Sequence, residues 1–364
     1  MIDNNFKIKK EHIIPTIDKG FSNVGFLFGA GTSFEAGYPL MTGLTNAIFQ
    51  QLDNSDKDII ETAVNLYNNS NRTKYNLENK IPDIELLLNM LIGLKLTQNG
   101  YYTFAYRLEQ KIKQLISNYL RNILPTNIEY HSKLLNYIKN RVGANYLPIW
   151  IFTTNYDLLI ELSCAENNIY LENGFCGVAK RFFDIDCYKR VNGYIHSQKQ
   201  KNQSSFEPHK HIQLKLCKLH GSLSWIKQEE NVTEVFDNSL KPEICSDAMI
   251  YPEHKKLDET LAHPYDKLFA YANSVLGNEV KYLISCGYSF RDEHINDRLI
   301  VPKLKNGSLR VFALFKEEPI SIEILKQYPA FNFLTQDKIY LNSNYYNYEN
   351  NIWKFSEFVK YLSE

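Results

Sequence analysis

Short apolar runs that end in turns are the dominant pattern along this chain. Several of them, among them Leu283-Ile284-Ser285-Cys286, lack the apolar–polar alternation of a half-exposed strand, which is typical of a parallel sheet covered by helices. The pattern therefore predicts an α/β fold built on a doubly wound parallel sheet. The runs that we interpret as strands are Val24–Phe28, Pro148–Phe152, Leu214–Leu219, Ala248–Tyr251, Lys281–Cys286, Leu309–Phe315 and Lys338–Asn342.

A long stretch between the first two runs has helical periodicity instead. Its apolar residues recur three or four positions apart, as on one face of a helix, and the second stripe follows a helix start at Pro82-Asp83. We therefore divide the chain into a sheet domain, residues 1–43 plus 146–364, and a helical insertion, residues 44–145. The three stripes are Leu44, Ala47, Ile48 and Leu52; Leu86, Leu87, Met90, Leu91 and Leu94; and Leu108, Ile112, Leu115, Ile116 and Leu120.

The apolar stripes of the insertion exceed what one sheet face could bury. The Leu86–Leu94 run is apolar on more than one side, so it needs more cover than its own hairpin supplies. We expect a second subunit or a partner protein to provide that cover. The alternative is an insertion that simply packs on its own sheet.

Composition excludes several classes of protein. The 41 basic and 41 acidic residues cancel, so bulk charge gives no strong signal for direct nucleic-acid binding. The N-terminus lacks the apolar region of a signal peptide, and no stretch approaches the roughly 18 apolar residues of a membrane helix. The six cysteines include no CxxC pair, which argues against a zinc ribbon and against a disulfide framework. We expect a cytoplasmic protein without structural zinc and without a membrane partner.

The segment 172–211 is irregular, and we expect a loop or small subdomain that lies over the site. Its most polar part, Lys199 to Ser205, is predicted to be a disordered tip. His209 and His211 form an HxH pair that could be a metal site, but no cysteine or cluster of glutamates accompanies it. A solvent-facing strand edge is the preferred interpretation.

The turn Gly29-Ala30-Gly31-Thr32-Ser33 directly follows the first predicted strand. Small residues at a strand-to-helix turn let backbone amides approach a pyrophosphate, and the following helix adds its positive end. The turn lacks the third glycine of the GxGxxG pattern, so it could also be an ordinary connection. Ala36-Gly37-Tyr38-Pro39 ends the helix after little more than one turn, which is less usual over a phosphate site and therefore more informative than the turn alone.

Polar signatures also follow three later strands. Thr153-Thr154-Asn155-Tyr156-Asp157 could place an amide on a ribose hydroxyl or a water, with Asp157 orienting a neighbour, or it could be an Asx turn that caps a helix at Leu158. His220, before Gly221, could serve as a general base or be a structural histidine. Because strand ends of a doubly wound sheet build its nucleotide site, these turns and Gly287-Tyr288-Ser289 together indicate a dinucleotide site.

In this order, the motifs resemble those of the sirtuin superfamily, especially the sirtuin-like domains of bacterial anti-phage defence systems. They span about residues 24–300. The resemblance implies a sirtuin-type, Rossmann-like NAD-binding domain with NAD⁺ as substrate. It also implies a role for each motif residue. Asn155 and His220 would be catalytic, and the NAD-binding set would be Gly29, Ala30, Gly31, Thr32, Ser33, Thr154, Asp157, Gly287 and Ser289.

The departures from the family pattern concern the acyl-lysine substrate. Pro39 is followed by Leu40-Met41-Thr42, where deacylating sirtuins carry Asp-Phe-Arg, and the four-cysteine zinc module is missing. Met249–Glu253 occupies the place of the peptide-binding loop. We therefore expect an NAD⁺ hydrolase that cleaves the nicotinamide–ribose bond. An NAD-dependent protein deacylase and a non-catalytic sensor of NAD or ADP-ribose remain the alternatives.

An unrestrained NAD⁺ hydrolase would kill its own cell, so the resemblance also implies control. The motifs use nearly all of the chain, which leaves little length for a separate sensor domain. We therefore expect a homo-oligomer, or a partner such as a hexameric HerA-type ATPase or a short Argonaute-like protein.

Overall fold

A computed structural model describes residues 7–97, 99–142, 148–198, 203–208, 212–237, 246–252 and 260–364. The strands are β1 (Val24–Phe28), β2 (Ile149–Thr153), β3 (Tyr170–Glu172), β4 (Phe175–Cys176), β5 (Arg181–Phe183), β6 (Gly193–Gln198), β7 (Gln203–Pro208), β8 (Gln213–Lys218), β9 (Gly221–Gln228), β10 (Asn231–Glu234), β11 (Ser246–Met249), β12 (Tyr282–Cys286), β13 (Arg310–Leu314), β14 (Phe331–Leu334), β15 (Lys338–Leu341) and β16 (Asn344–Asn347). The helices are α1 (Lys10–Ile13), α2 (Ala30–Ser33), α3 (Met41–Phe49), α4 (Asn54–Asn71), α5 (Ile84–Thr97), α6 (Tyr102–Arg121), α7 (Glu129–Val142), α8 (Leu159–Glu166), α9 (Tyr265–Val275), α10 (Glu293–Ile295), α11 (Val301–Lys305) and α12 (Phe355–Ser363).

Nine of these strands form one sheet in the order β16-β15-β14-β13-β12-β1-β2-β8-β3. From β14 to β3 every pairing is parallel, whereas β15 and β16 add antiparallel strands at one edge. The order β8-β2-β1-β12-β13-β14 is the 3-2-1-4-5-6 arrangement of a Rossmann sheet. The predicted α/β, doubly wound fold is confirmed, and its topological switch point lies between β1 and β12.

The central strands are apolar on both faces because helices cover both faces. Along β1, Phe26 and Phe28 face a core shared with α7, α8 and α12, whereas Leu27 faces a core shared with α9 and a second sheet. All five residues of β1 and of β2 are buried. This double burial is why their sequences show no alternation.

Helices α3 to α6 form a bundle with its own core. Leu87, Leu91 and Leu94 of α5 are fully buried, and α5 packs against α3, α4 and α6. The bundle thus covers α5 itself, and the cover that we expected from a partner is not needed there. The Leu108–Leu120 stripe is also occupied within the chain, because Leu108, Ile112, Ile116 and Leu120 are buried in the same core.

Helix α7 lies inside the proposed 44–145 insertion, yet it packs on the sheet. Leu134, Leu135 and Ile138 join the core beneath β1 and β2, and α7 contacts α8 and α12. This packing favours an insertion that ends before α7. The division into two domains stays a proposal.

A second, five-stranded sheet in the order β11-β9-β10-β5-β4 lies beside the main one. Part of the segment that we expected to be irregular, 172–211, forms β4, β5 and the hairpin β6–β7. His209, His211 and residues 199–202 lie outside the described residues. Across the described part of the chain, no helix combines the length and the apolar content that a membrane span requires.

One buried histidine makes the stability of this fold depend on pH. His131 on α7 is only 3% exposed and packs against the Phe355 ring at 4.7 Å between centroids. Burial lowers the pKa of its imidazole to about 4, against the opposing effect of the Asp157 and Glu35 carboxylates. The folded protein therefore keeps this ring neutral at pH values where the unfolded chain protonates it.

We predict that this residue reduces the free energy of unfolding by about 2 kcal/mol between pH 7 and pH 5. Its stabilising effect is complete above the unfolded-state pKa of about 6.5 and is lost as the pH falls toward the folded-state pKa. Urea unfolding of the wild type and His131→Phe at both pH values measures the difference. Equal slopes with pH in the two proteins would contradict the prediction.

Candidate active site

The glycine-rich turn after β1 starts a helix that ends almost at once. Helix α2 covers Ala30–Ser33, a 3-10 turn covers Phe34–Ala36, and Gly37 follows with a φ of 99°. Only glycine adopts such a φ without strain, so Gly37 stops the helix. The early helix end that the sequence predicted is confirmed.

This turn packs backbone to backbone against the turn after β12. The Gly29 amide donates to the Cys286 carbonyl and the Gly31 amide donates to the Gly287 carbonyl, each at 3.0 Å. A Cβ on Gly31 would lie 2.6 Å from the Gly287 Cα, and one on Gly29 would lie 2.6 Å from the Gly287 oxygen. The glycines are thus required for contact between two turns at the switch point, before any ligand is considered.

Asn155 connects the end of β2 to the glycine-rich turn. Its Nδ2 donates to the Gly29 carbonyl at 3.0 Å, to Thr32 Oγ1 at 3.2 Å and to Ser33 Oγ at 2.9 Å. The side chain is half-buried. Asn155 therefore fixes the turn from the neighbouring strand and does not cap a helix.

Asp157 completes this hydrogen-bond chain and forms an Asx turn directly before α8. Its Oδ2 accepts from Ser33 Oγ at 2.7 Å, and its Oδ1 accepts from the Leu159 amide at 3.1 Å. The Asx turn that we considered for this motif is thus made by Asp157, whose carboxylate also accepts a hydrogen bond from Ser33. Asn155, Ser33 and Asp157 form one connected polar cluster at the ends of β1 and β2.

A buried ion pair supports this loop from below. Lys218, at the end of β8, is 2% exposed and lies 2.8 Å from Glu161 Oε1 on α8. Its Nζ also donates to the Asp157 carbonyl, and to Ser222 Oγ at 3.0 Å. Burial raises the pKa of Glu161, and Lys218 opposes that rise. The lysine therefore ties the loop after β2 to the start of β9.

His220 lies in the tight turn between β8 and β9. Gly221 follows with a φ of 86°, and a Cβ there would lie 2.3 Å from the Ala248 carbonyl oxygen. The His220 ring is 5% exposed, and its Nε2 lies 3.0 Å from the Nε2 of His294. The predicted base is thus buried beside a second histidine that the sequence analysis missed.

A third titratable group joins the two histidines. Ligand-capable atoms of His220, Asp292 and His294 all lie within 4.8 Å of one another, a spacing at which a metal ion could be shared. The buried cysteines are a poorer ligand set, because burial raises the pKa of Cys217 and of Cys187 to about 12 and keeps them as thiols. The expected absence of zinc stays a prediction.

The remaining predicted residues do not all contact the polar cluster. The Thr154 amide donates to the Phe28 carbonyl at 3.2 Å, which joins β2 to β1. Ser289 is exposed, and its carbonyl accepts from Ser321 Oγ. Ala30 is exposed at the start of α2. The two glycine turns, Asn155 and Asp157 are in contact with one another, whereas the hydrogen bond of Ser289 is to Ser321.

A cavity of about 470 Å³ lies away from these residues. It is on the second sheet, and its lining includes Phe182, Gln228, Thr233 and His263. None of the predicted site residues lines it. We place the site at the strand ends, where the glycine-rich turn after β1 contacts both the polar cluster and the turn after β12.

Comparison with protein families gives a match to the SIR2-like domain over residues 150–334, just over half of the chain. The chain belongs to the SIR2-like domain family. The matched region contains Asn155, Asp157, His220, His294 and Gly287. The matched region begins after the glycine-rich turn. We assign that turn to the site because it contacts Gly287 and Asn155, which lie inside the matched region.

Solved structures similar to this SIR2-like chain include Sir2 homologues. One is a Sir2 homolog–NAD complex, with 12% identity and a TM-score of 0.43, over 99% of this chain and 95% of that chain. Another is a mutant Sir2 homologue in complex with ADP ribose, with 12% identity and a TM-score of 0.42, over 98% and 97% of the two chains. Comparison with curated proteins gives no match. The fold assignment rests on the strand order itself.

Four residues of the site were missed by sequence reasoning. Lys218 is a charged residue inside an apolar strand, which is a signal for a buried functional or structural ion pair. Asp292 and His294 follow shortly after the Gly287 turn, and a polar pair at that place is also visible in the sequence. Glu161 on α8 gives no signal of its own, because an acidic residue in the first turn of a helix is common.

We predict that Gly31→Ala destabilises the SIR2-like domain by about 1–3 kcal/mol, because the new methyl group overlaps the Gly287 backbone. Gly93→Ala on α5 is the matched control, since a Cβ there meets nothing within 4 Å. The control should be neutral or gain up to about 1 kcal/mol from helix propensity. Urea unfolding measures both. A Gly31→Ala protein as stable as the wild type would mean that the turns do not need their close approach.

Proposed function

We propose that this protein is an NAD⁺ hydrolase that cleaves the nicotinamide–ribose bond. The observation that supports it is the polar cluster of Asn155, Ser33 and Asp157, which meets the glycine-rich turn at the switch point of a Rossmann sheet. Dinucleotides bind at such switch points. In a SIR2-like chain, the dinucleotide is then NAD⁺, and His220 stands at the end of the neighbouring strand.

In this proposal the bond breaks through an oxocarbenium-like state. Nicotinamide leaves with the electron pair of the C–N bond, and the oxygen of a water molecule forms the new bond to the ribose carbon. The proton of that water passes to His220, a contribution typically worth about 10²–10⁴-fold in rate. Asn155 and Asp157 would hold the ribose and nicotinamide in place, so that water meets only the reacting carbon.

A non-catalytic sensor is the second candidate, and one observation favours it. The Nδ2 group of Asn155 already donates to acceptors within the chain. Such an amide could be purely structural, with NAD or ADP-ribose only setting a conformation. A protein deacylase has less support, because the sequence lacks both the four-cysteine module and the Asp-Phe-Arg motif after Pro39.

We further propose that the hydrolase acts in the cytoplasm as an effector of anti-phage defence. Cleavage of NAD⁺ would stop the metabolism of an infected cell, so activity must be held back until infection. Control through self-assembly, or through a HerA-type ATPase or short Argonaute-like partner, would meet that need. This part of the proposal rests on the family resemblance.

The surface for such assembly is proposed at the α5–α6 turn and not on the buried Leu108–Leu120 stripe. Leu96 is 74% exposed there, and Tyr102 and Phe104 are each 55% exposed. Exposed apolar side chains that lie close together in the chain are candidates for an interaction surface. This group is named the α5–α6 patch.

We predict that Asn155→Ala and His220→Ala each abolish release of nicotinamide from NAD⁺. Asn155→Ala should also lose about 1 kcal/mol of stability, the typical net value of a hydrogen bond. Asn278→Ala is the matched control, because that amide donates to the Ser274 carbonyl at 2.7 Å on the surface. Chromatographic detection of nicotinamide measures turnover, and circular dichroism confirms folding.

Two outcomes would oppose these assignments. Turnover retained by folded His220→Ala would remove the general-base role. A wild-type protein that binds NAD⁺ but releases no nicotinamide, alone or with the product of its neighbouring gene, would favour the sensor.

We predict that the double variant Tyr102→Glu, Phe104→Glu weakens assembly without changing NAD⁺ binding, because charge disfavours burial of the α5–α6 patch. Size-exclusion chromatography with light scattering measures the assembled mass. A fully active wild-type monomer would contradict the assembly proposal.

A further inference from the structure

The His220–His294 contact joins two buried imidazoles from different parts of the chain. His220 is fixed by its backbone, since its carbonyl accepts from the Ile250 amide at 2.9 Å. His294 lies in α10, which continues through a π-helical turn, Asn296–Ile300, into α11. The Phe269 ring packs 5.6 Å from the His294 ring. His220 and His294 are only 5% and 7% exposed, so the surrounding fold restrains both rings.

The distance between the two rings fits a hydrogen bond better than a shared zinc ion. Two imidazoles on tetrahedral zinc, with Zn–N bonds of about 2.0–2.1 Å, have nitrogens roughly 3.3–3.4 Å apart. The two Nε2 atoms are 3.0 Å apart, the usual length of an N–H···N bond. Two lone pairs at that distance would repel each other, so one ring donates and the other accepts.

We propose that His294 is a positioning residue for His220 and that the two rings act as one acid–base pair. This inference rests on the proposed hydrolase function for its catalytic part. The proton between the two Nε2 atoms fixes the orientation and the tautomer of both rings. A proton taken from the attacking water must then enter the pair at an Nδ1 atom.

The proton and charge balance is simple. The O–H bond of the water breaks, its proton binds Nδ1 of His220, and the water oxygen keeps the electron pair for its bond to the ribose carbon. The pair then carries one positive charge, and the N–H···N bond between the rings becomes charge-assisted and stronger. The Asp292 carboxylate, within 4.8 Å, adds an attractive negative charge. Transfer of this proton to solvent returns the pair to its starting state.

The first experiment tests the pair without any turnover. Full-length protein is labelled with ¹⁵N at histidine, and a through-hydrogen-bond ¹⁵N–¹⁵N coupling between the two Nε2 atoms is measured. We expect the coupling in the wild type and in His196→Phe, and its loss in His294→Phe. His196 is the matched control, because its Nε2 also has a partner, Glu207 at 2.8 Å, but on the exposed hairpin.

The second experiment tests the catalytic consequence. His294→Phe should lower kcat roughly 10- to 100-fold with little change in KM, a part of the usual general-base contribution. His294→Gln should recover most of kcat, because its amide can supply a hydrogen-bonding group near the place of Nε2. If the His294 ring served only packing, His294→Phe would have the higher kcat of the two variants, since phenylalanine fills the space better than glutamine.

The outcomes separate the two proposals. A wild-type protein with the coupling but without nicotinamide release would refute the hydrolase and leave the hydrogen-bonded pair standing. An active wild type without the coupling would overturn the pair. Elemental analysis that finds about one metal ion per chain, lost in His294→Phe, would also overturn it in favour of a metal centre. An active His294→Phe with unchanged kcat would remove the positioning role.

Discussion

The close approach of two turns at the switch point is the constraint on which the site depends. Gly31 and Gly287 bring the ends of β1 and β12 into backbone contact, and any side chain at Gly31 would enter the Gly287 backbone. This contact sets where Ser33 lies, and Ser33 Oγ in turn accepts a hydrogen bond from Asn155 Nδ2 and donates one to Asp157 Oδ2. A ligand at this place would therefore meet a turn whose shape is already fixed by the protein, which lowers the ordering cost of binding.

Next to the turn, a single buried charge contacts three elements of the fold. Lys218 on β8 reaches the loop after β2, the start of β9 and Glu161 on α8. A buried ion pair of this kind adds little net stability, but removing one partner leaves an uncompensated charge. Its contribution is to orientation, since the loop that carries Asn155 and the strand that follows His220 are held by a single ammonium group.

The sequence predicted β1, β2, β8, β12 and β13, because each is an apolar run that ends in a turn. It missed β14 of the same sheet, and the predicted run Ala248–Tyr251 overlaps β11, which belongs to the second sheet. The strands of the second sheet were harder to predict from the sequence. Strand β9 carries Ser222 and Ser224, which are buried because Lys218 and Glu234 supply their partners, so its apolar character is broken in the sequence. Helix α5 was read as needing a partner because it is apolar on several sides. Its neighbours α3, α4 and α6 provide the cover, which stripe patterns taken one helix at a time do not reveal.

The site shows the same limit at the level of single residues. Asn155 and His220 could be found because each follows an apolar strand directly, and strand ends of a parallel sheet converge. His294 lies 74 positions beyond His220, at the start of a short helix, and its place shortly after the Gly287 turn does not by itself pair it with His220. Its role is recognised only from its contact with His220. That contact, 3.0 Å between the two Nε2 atoms, forms because the folded chain brings the residues after β8 and after β12 together. A residue that acts through another is defined by tertiary structure, so its role becomes testable only once the two rings are seen together.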